Sequence, residues 1–223
     1  MILGWGQFVR DRQERNMSEP LPQKYDYILV LDFEATCLKD ARIHPQEIIE
    51  FPCIMLETKT SSIKSIFHQY VRPVKNPVLS SFCTEFTGIT QRMVDESKTF
   101  PDVFNDFLKW VADEIGEDSK LVVATCGDWD LNVMLPAQLR LNGIYRDKVP
   151  AYLKRWINVK KVFERETKVV ISRHRNDLTQ MMETLKLPLV GHLHSGIDDV
   201  KNIAKVVEAL MCTTTLEITW TSY

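Results

Sequence analysis

From Tyr25 onward, apolar runs and their periods divide the chain into strands and helices. Leu29-Val30-Leu31 is an unbroken aliphatic run, the signature of a strand buried on both faces. It places a first strand over about 25–34. Two more strand-like segments follow across short polar links, Glu47–Glu57 and Ser62–Val71, with Pro52 marking a bulge or an edge. Such short links favour an antiparallel meander. After Arg72-Pro73 the period changes. Ser80-Ser81 and Gly88 bracket a short helix in the manner of N- and C-caps. Val103, Phe104, Phe107, Leu108, Val111 and Ile115 then recur at helical spacing. Lys120–Cys126 reads as a short central strand, Trp129–Asn142 as a helix, and Trp156–Val159 as a fifth strand at an edge. Helices over Asn176–Lys186 and Ser195–Met211 complete the pattern, the last opened by a Ser195/Asp198 pair resembling a capping box.

Three meander strands followed by alternating strands and helices predict an α/β fold, a mixed sheet of about five strands flanked by helices. That layout matches the ribonuclease-H-like architecture. Residues 1–24 read as a loosely packed arm ending in Pro20-Leu21-Pro22, residues 25–211 as the domain, and residues 212–223 as a β-prone aromatic tail.

One violation of the pattern matters more than the rest. Where the first apolar run should continue, Asp32 and Glu34 appear one residue apart. In a strand these side chains share a face, where two like charges repel and lose hydration. Either the strand emerges into solvent there, or a cation lies between the acids. Further acids at matching positions decide between the two.

Composition narrows the classes without naming one. Apolar residues make up 44% and charged residues 26%, which is ordinary for a soluble globular domain, and the formal net charge of −2 does not announce a polyanion partner. The basic residues are local. Lys154, Arg155, Lys160, Lys161, Arg165, Lys168, Arg173 and Arg175 are opposed only by Glu164 and Glu166 between Ala151 and Arg175. This is a solvated face, or a phosphate footprint if the active site calls for nucleic acid. Five scattered cysteines without a CxxC pair argue against a disulfide framework or a structural zinc site. No run reaches membrane-spanning length, so no membrane partner is expected, and a cytoplasmic or nuclear location is.

Acids do return. Asp130 follows the fourth strand at a helix start, where α/β sheets place their sites, with Asp128 competing for any role. His194-Ser195-Gly196-Ile197-Asp198-Asp199 sets a histidine five residues before an acid in the first turn of the last helix. Asp32, Glu34, Asp130 and Asp199 supply oxygen ligands alone, which select hard cations such as Mg²⁺ or Mn²⁺. Two such ions, about 3.5–4 Å apart, suit an in-line phosphoryl displacement. His194 is suited to take a proton at neutral pH.

These residues together resemble the motif set of the DEDDh 3′–5′ exonuclease superfamily: Asp32-x-Glu34, Asp130 and His194-x4-Asp199. Asp32-Phe33-Glu34-Ala35-Thr36-Cys37, Glu47-Ile48-Ile49-Glu50-Phe51-Pro52, Phe86-Thr87-Gly88-Ile89 and Gly127-Asp128-Trp129-Asp130 are similar to its Eri-type exoribonuclease branch. The resemblance implies that Asp32, Glu34, Asp130 and Asp199 hold two Mg²⁺ ions, replaceable by Mn²⁺, and that His194 activates water. It implies that Glu34, Ala35 and Thr36 cradle a 3′-terminal nucleotide. Trp129 either stacks on a base or packs in the core. The expected substrate is the 3′ end of single-stranded RNA. Two other readings use the same residues, a DNA-acting exonuclease and an inactive nucleic-acid- or protein-binding module on this fold.

Overall fold

The structure, a computed structural model, describes residues 19–116 and 118–221, so most of the expected N-terminal arm lies outside the described residues. The predicted meander is present. β1 (Tyr27–Leu31) pairs antiparallel with β3 (Ile48–Glu57), and β3 pairs antiparallel with β4 (Ser62–Tyr70). On its other side β1 runs parallel to β5 (Leu121–Thr125), and β5 runs parallel to β6 (Arg155–Asn158). A mixed sheet results, as expected.

Helices cover both faces. α1 (Ser81–Thr87), α2 (Gln91–Asp95) and α3 (Phe100–Glu114) follow β4. A π-helical turn over Asp130–Met134 runs into α4 (Leu135–Leu141) after β5. α5 (Val159–Thr167), α6 (Asp177–Thr184) and α7 (Gly196–Met211) follow β6. The aliphatic run of β1 has its explanation here. Ile28 and Val30 join a core with residues of α5, α6 and α7, while Leu29 and Leu31 join the core beneath α3 and α4. Alternate side chains serve opposite layers, so no position of the strand is free to be polar.

Three expectations change. The first strand does not run unbroken to Glu34: β1 ends at Leu31, and pairing resumes in a two-residue β2 (Glu34–Ala35) with a shifted register. Pro52 is not at an edge, because β3 has partners on both sides. The Ile49 carbonyl accepts from Val71 N on the β4 side, so the proline nitrogen faces the other way, into the gap between β1 and β2. No donor is needed there. Nor is β6 an edge, since β7 (Trp220–Thr221) pairs antiparallel with it.

The C-terminal stretch is therefore part of the fold. Leu216 N donates to the Gln23 side chain, Leu21 N donates to Met211 O, and Leu216 is fully buried in the core beside α7. Replacing Leu216 with Ala is expected to cost about 2–5 kcal/mol in a urea denaturation experiment, the range for emptying a buried leucine site. A loss under roughly 0.5 kcal/mol, the scale of surface substitutions, would show that the segment is not docked.

Candidate active site

The interruption after Leu31 builds the site. Instead of continuing the ladder, Phe33 N donates to Asp130 Oδ1 at 2.9 Å, tying the β1–β2 break to the π-helical turn beyond β5. Leu131 and Met134 on that turn are buried in the core, which fixes Asp130 in place. Asp128 has other work. It accepts from Trp156 Nε1 at 3.0 Å and Lys161 Nζ at 2.7 Å.

Asp199 arrives from α7, whose first turn is held by an acid of the central sheet. Glu50 on β3 accepts from Gly196 N at 2.9 Å and Ile197 N at 3.2 Å, and meets His68 Nε2 at 2.7 Å. A Cβ on Gly196 would stand 2.9 Å from Glu50 Oε2 and 3.0 Å from Pro52 Cγ, which is why a glycine opens this helix. The expected cap by the Ser195 side chain is absent; Glu50 satisfies the helix start instead. His194, with φ of 65° in the left-handed region, donates its backbone N–H to Asp199 Oδ2 at 2.8 Å.

Asp32, Glu34, Ala35, Trp129, His194 and Asp199 meet around one cavity of about 360 Å³. Ligand atoms of Glu34, His194 and Asp199 lie within 4.8 Å of one another. Asp130 is buried and does not line the cavity, yet among the acids it acts most strongly on Asp32. Trp129 is 39% exposed on the wall, so it is not a core residue. Thr36 departs from expectation. It is buried and is not on the cavity wall, its Oγ1 accepting from Glu47 N and its own N–H donating to Glu47 O, so it ties β2 to the start of β3.

Electrostatic strain concentrates here. Burial, then Asp199 and Glu50, push the Glu34 carboxyl up to about 9. Burial and then Asp130, Glu34 and Asp199 raise Asp32 well above the usual carboxylate range. Burial brings Asp130 and Asp199 to about 6. Burial, helped by His192, lowers His194. Asp199 Oδ1 is buried without a partner, and among the described residues no hydrogen bond reaches the side chains of Asp32 or Glu34. Crowded, unsatisfied carboxylates of this kind fit a divalent cation.

The basic stretch is less available than its composition suggests. Lys160, Lys161, Arg165 and Arg175 pair with Asp177, Asp128, Glu166 and Glu183 respectively. At least half of the eight cations are thus engaged by acids of the chain. Sequence reasoning gave no site role to Phe86 or Asp177, both on the cavity wall. Phe86 had a signal in the motif Phe86-Thr87-Gly88-Ile89, whereas that of Asp177 is tertiary, because nothing in the chain's order brings α6 to the end of β1.

With this geometry in view, comparison with known proteins is decisive. Residues 29–207 match the exonuclease family RNase_T. The chain belongs to this exonuclease family. A Bos taurus protein named ERI1 exoribonuclease 3 is 47% identical over 87% of the chain and 56% of its own length. The Mus musculus 3'-5' exoribonuclease 1 is 42% identical over 84% of the chain and 53% of its own length. The chain spans about half the length of these curated relatives. Among solved structures, the nuclease domain of 3'hExo, a DEDDh family member bound to rAMP, aligns with a TM-score of 0.83 and 39% identity. It covers 90% of this chain and 100% of its own. The DEDDh exonucleases depend on divalent metal ions, and the Glu34, His194 and Asp199 cluster is the matching feature here.

The raised carboxyl of Glu34 has a consequence for stability. A group that binds protons more tightly when folded stabilises the fold below its ordinary value of 4.5, and that contribution is lost as pH rises toward about 9. Without divalent metal, the melting temperature of the Glu34→Gln variant is therefore expected to rise relative to the unaltered protein as pH increases across this window. A difference independent of pH would mean that Glu34 carries no such strain.

Proposed function

We propose that this chain is a metal-dependent 3′–5′ exoribonuclease that releases nucleoside 5′-monophosphates from the 3′ end of single-stranded RNA. The observation that carries this reading is the meeting of Asp32, Glu34, His194 and Asp199 at one cavity, with Asp130 behind Asp32 and one Asp199 oxygen buried and unpartnered. Asp32, Glu34, Asp130 and Asp199 would hold two Mg²⁺ ions, with Mn²⁺ able to replace them. When bound, these ions offset the repulsion among the acids and stabilise charge on the attacking and leaving oxygens.

The remaining work falls to the chain itself. Trp129 offers an exposed aromatic face to the terminal base, and Ala35 with Glu34 lines the cavity beside it. His194, whose imidazole burial and His192 hold below its ordinary value, takes a proton from the water that attacks the last phosphodiester. A bond forms between the water oxygen and phosphorus, and the bond from phosphorus to the 3′ oxygen of the penultimate nucleotide breaks. That oxygen takes up a proton, leaving a new 3′ hydroxyl. The 3'hExo nuclease domain bound to rAMP supports the nucleotide class, and the structure titled for 3′-end recognition of histone mRNA stem-loop by 3'-exonuclease supports RNA. That second structure aligns at 35% identity with a TM-score of 0.84, covering 98% of this chain and 75% of its own.

Three measurements test the reading. A 5′-labelled RNA with a free 3′ hydroxyl is expected to shorten in Mg²⁺ and remain intact in EDTA, and Asp32→Asn is expected to abolish the shortening while leaving the fold unchanged by circular dichroism. Retained activity in that variant refutes the metal-site assignment. His194→Ala is expected to lower turnover by roughly 10²–10⁴-fold, the range for a general base, while Mg²⁺ still raises the melting temperature. Matched RNA and DNA oligonucleotides are expected to show faster shortening of the RNA.

A further inference from the structure

His194 is held in an unusual way. Its backbone is tied to Asp199, but among the described residues no hydrogen bond orients its imidazole. What the ring does meet is Phe86, with centroids 3.9 Å apart and planes inclined by 24°. Phe86 in turn stacks on Phe82 one helical turn earlier, at 5.3 Å and 18°. The three rings form a continuous column on one face of α1.

That column stands on a firm base. α1 is closed at its start by Ser80, whose hydroxyl accepts from Cys83 N, and at its end by Gly88 with φ of 74°. Ser80 Oγ also donates to Cys37 O, and Cys83 Sγ lies 3.9 Å from Ala35 O. Ala35 belongs to the strand that carries Glu34, and Cys37 lies two residues beyond its end. α1 therefore links Glu34 to the His194 ring across a chain gap that no backbone ladder bridges. Burial does not explain Phe86, because the ring remains 37% exposed and faces the cavity.

We infer that Phe86 is a positioning residue that sets the plane of the His194 imidazole toward the cavity by face-to-face stacking. The inference rests on the general-base role given to His194 above. A loop histidine without a hydrogen-bond partner samples several rotamers, and a misplacement of about 1 Å at a reacting group costs up to roughly 10²-fold. A flat aromatic face removes that freedom while leaving both ring nitrogens open.

The test uses Phe86→Ala, Phe86→Leu and Phe86→Tyr, with His194→Ala alone and combined with Phe86→Ala, on a 3′-hydroxyl RNA in Mg²⁺. Phe86→Ala and Phe86→Leu are expected to lower kcat by about 10-fold with KM changed less than about 2-fold, within the range for a displaced catalytic group. Phe86→Tyr restores the rate because it restores the flat face. In the His194→Ala background, removing Phe86 has no further effect on kcat. In proton NMR of the metal-free protein, the imidazole resonances missing from His194→Ala move downfield in Phe86→Ala, as ring-current shielding is lost. A rise in KM at constant kcat that persists without His194 would show that Phe86 stacks on substrate instead, and would overturn the inference. Equal rates for Phe86→Ala and the unaltered protein, with His194→Ala impaired, would overturn it as well. Normal turnover in His194→Ala would refute the general-base reading itself, and the unchanged or shifted NMR signals would still report whether the stack exists.

Discussion

Mutual repulsion among carboxylates is the constraint around which this molecule is arranged. Asp32 with Glu34, Asp130 and Asp199 come from three places in the chain and are pushed into low-dielectric surroundings, where Asp130, Glu34 and Asp199 each raise the cost of ionising Asp32. Nothing in the metal-free fold rewards that. The rest of the structure supplies the rigidity needed to hold such groups together: a sheet buried on both faces, a π-helical turn anchored by Leu131 and Met134, and a helix start clamped from the opposite strand.

The buried acids of this protein fall into two kinds, and the contrast is informative. Glu47 accepts from the backbone N–H groups of Val74, Lys75 and Asn76, each at 2.8 Å, and Glu50 accepts from Gly196 and Ile197 while facing His68. These acids are satisfied, and their work is architectural. Asp32 and Glu34 receive no hydrogen bond to their side chains among the described residues, and Asp199 keeps one oxygen unpartnered. Acids held with so few partners beside a cavity, Glu34 and Asp199 buried and Asp32 partly exposed, fit a cation site.

Legibility differed by element for definite reasons. The strands β1, β3 and β5 and the helices α3 and α7 have apolar periods strong enough to be read from composition alone, because each is packed along its whole length. The break after Leu31 was not readable, since Phe33 is as strand-prone as its neighbours and leaves the ladder only because Asp130, 97 residues away, captures its N–H. Thr36 looked accessible as part of a motif, but the hydroxyl is taken by Glu47. The basic stretch looked like a single positive surface, yet Asp128, Asp177 and Glu183 engage three of its cations from outside the stretch.

What the sequence by itself determined was the family, and with it the candidate acids and histidine of the site. Asp32, Glu34, Asp130, His194 and Asp199 stand in an order and spacing that their chemistry makes conspicuous, because charged residues in apolar runs are costly unless used. What only the tertiary structure decided was how those groups are held. Glu50 closing the start of α7, Phe86 lying against His194, Trp129 opening onto the cavity and β7 covering β6 are all contacts between segments distant in the chain. Local patterning records whether a residue is buried and on which face. It does not record which neighbour waits there, and the partner is what turns a buried glutamate into a helix anchor or sets a phenylalanine ring against a histidine.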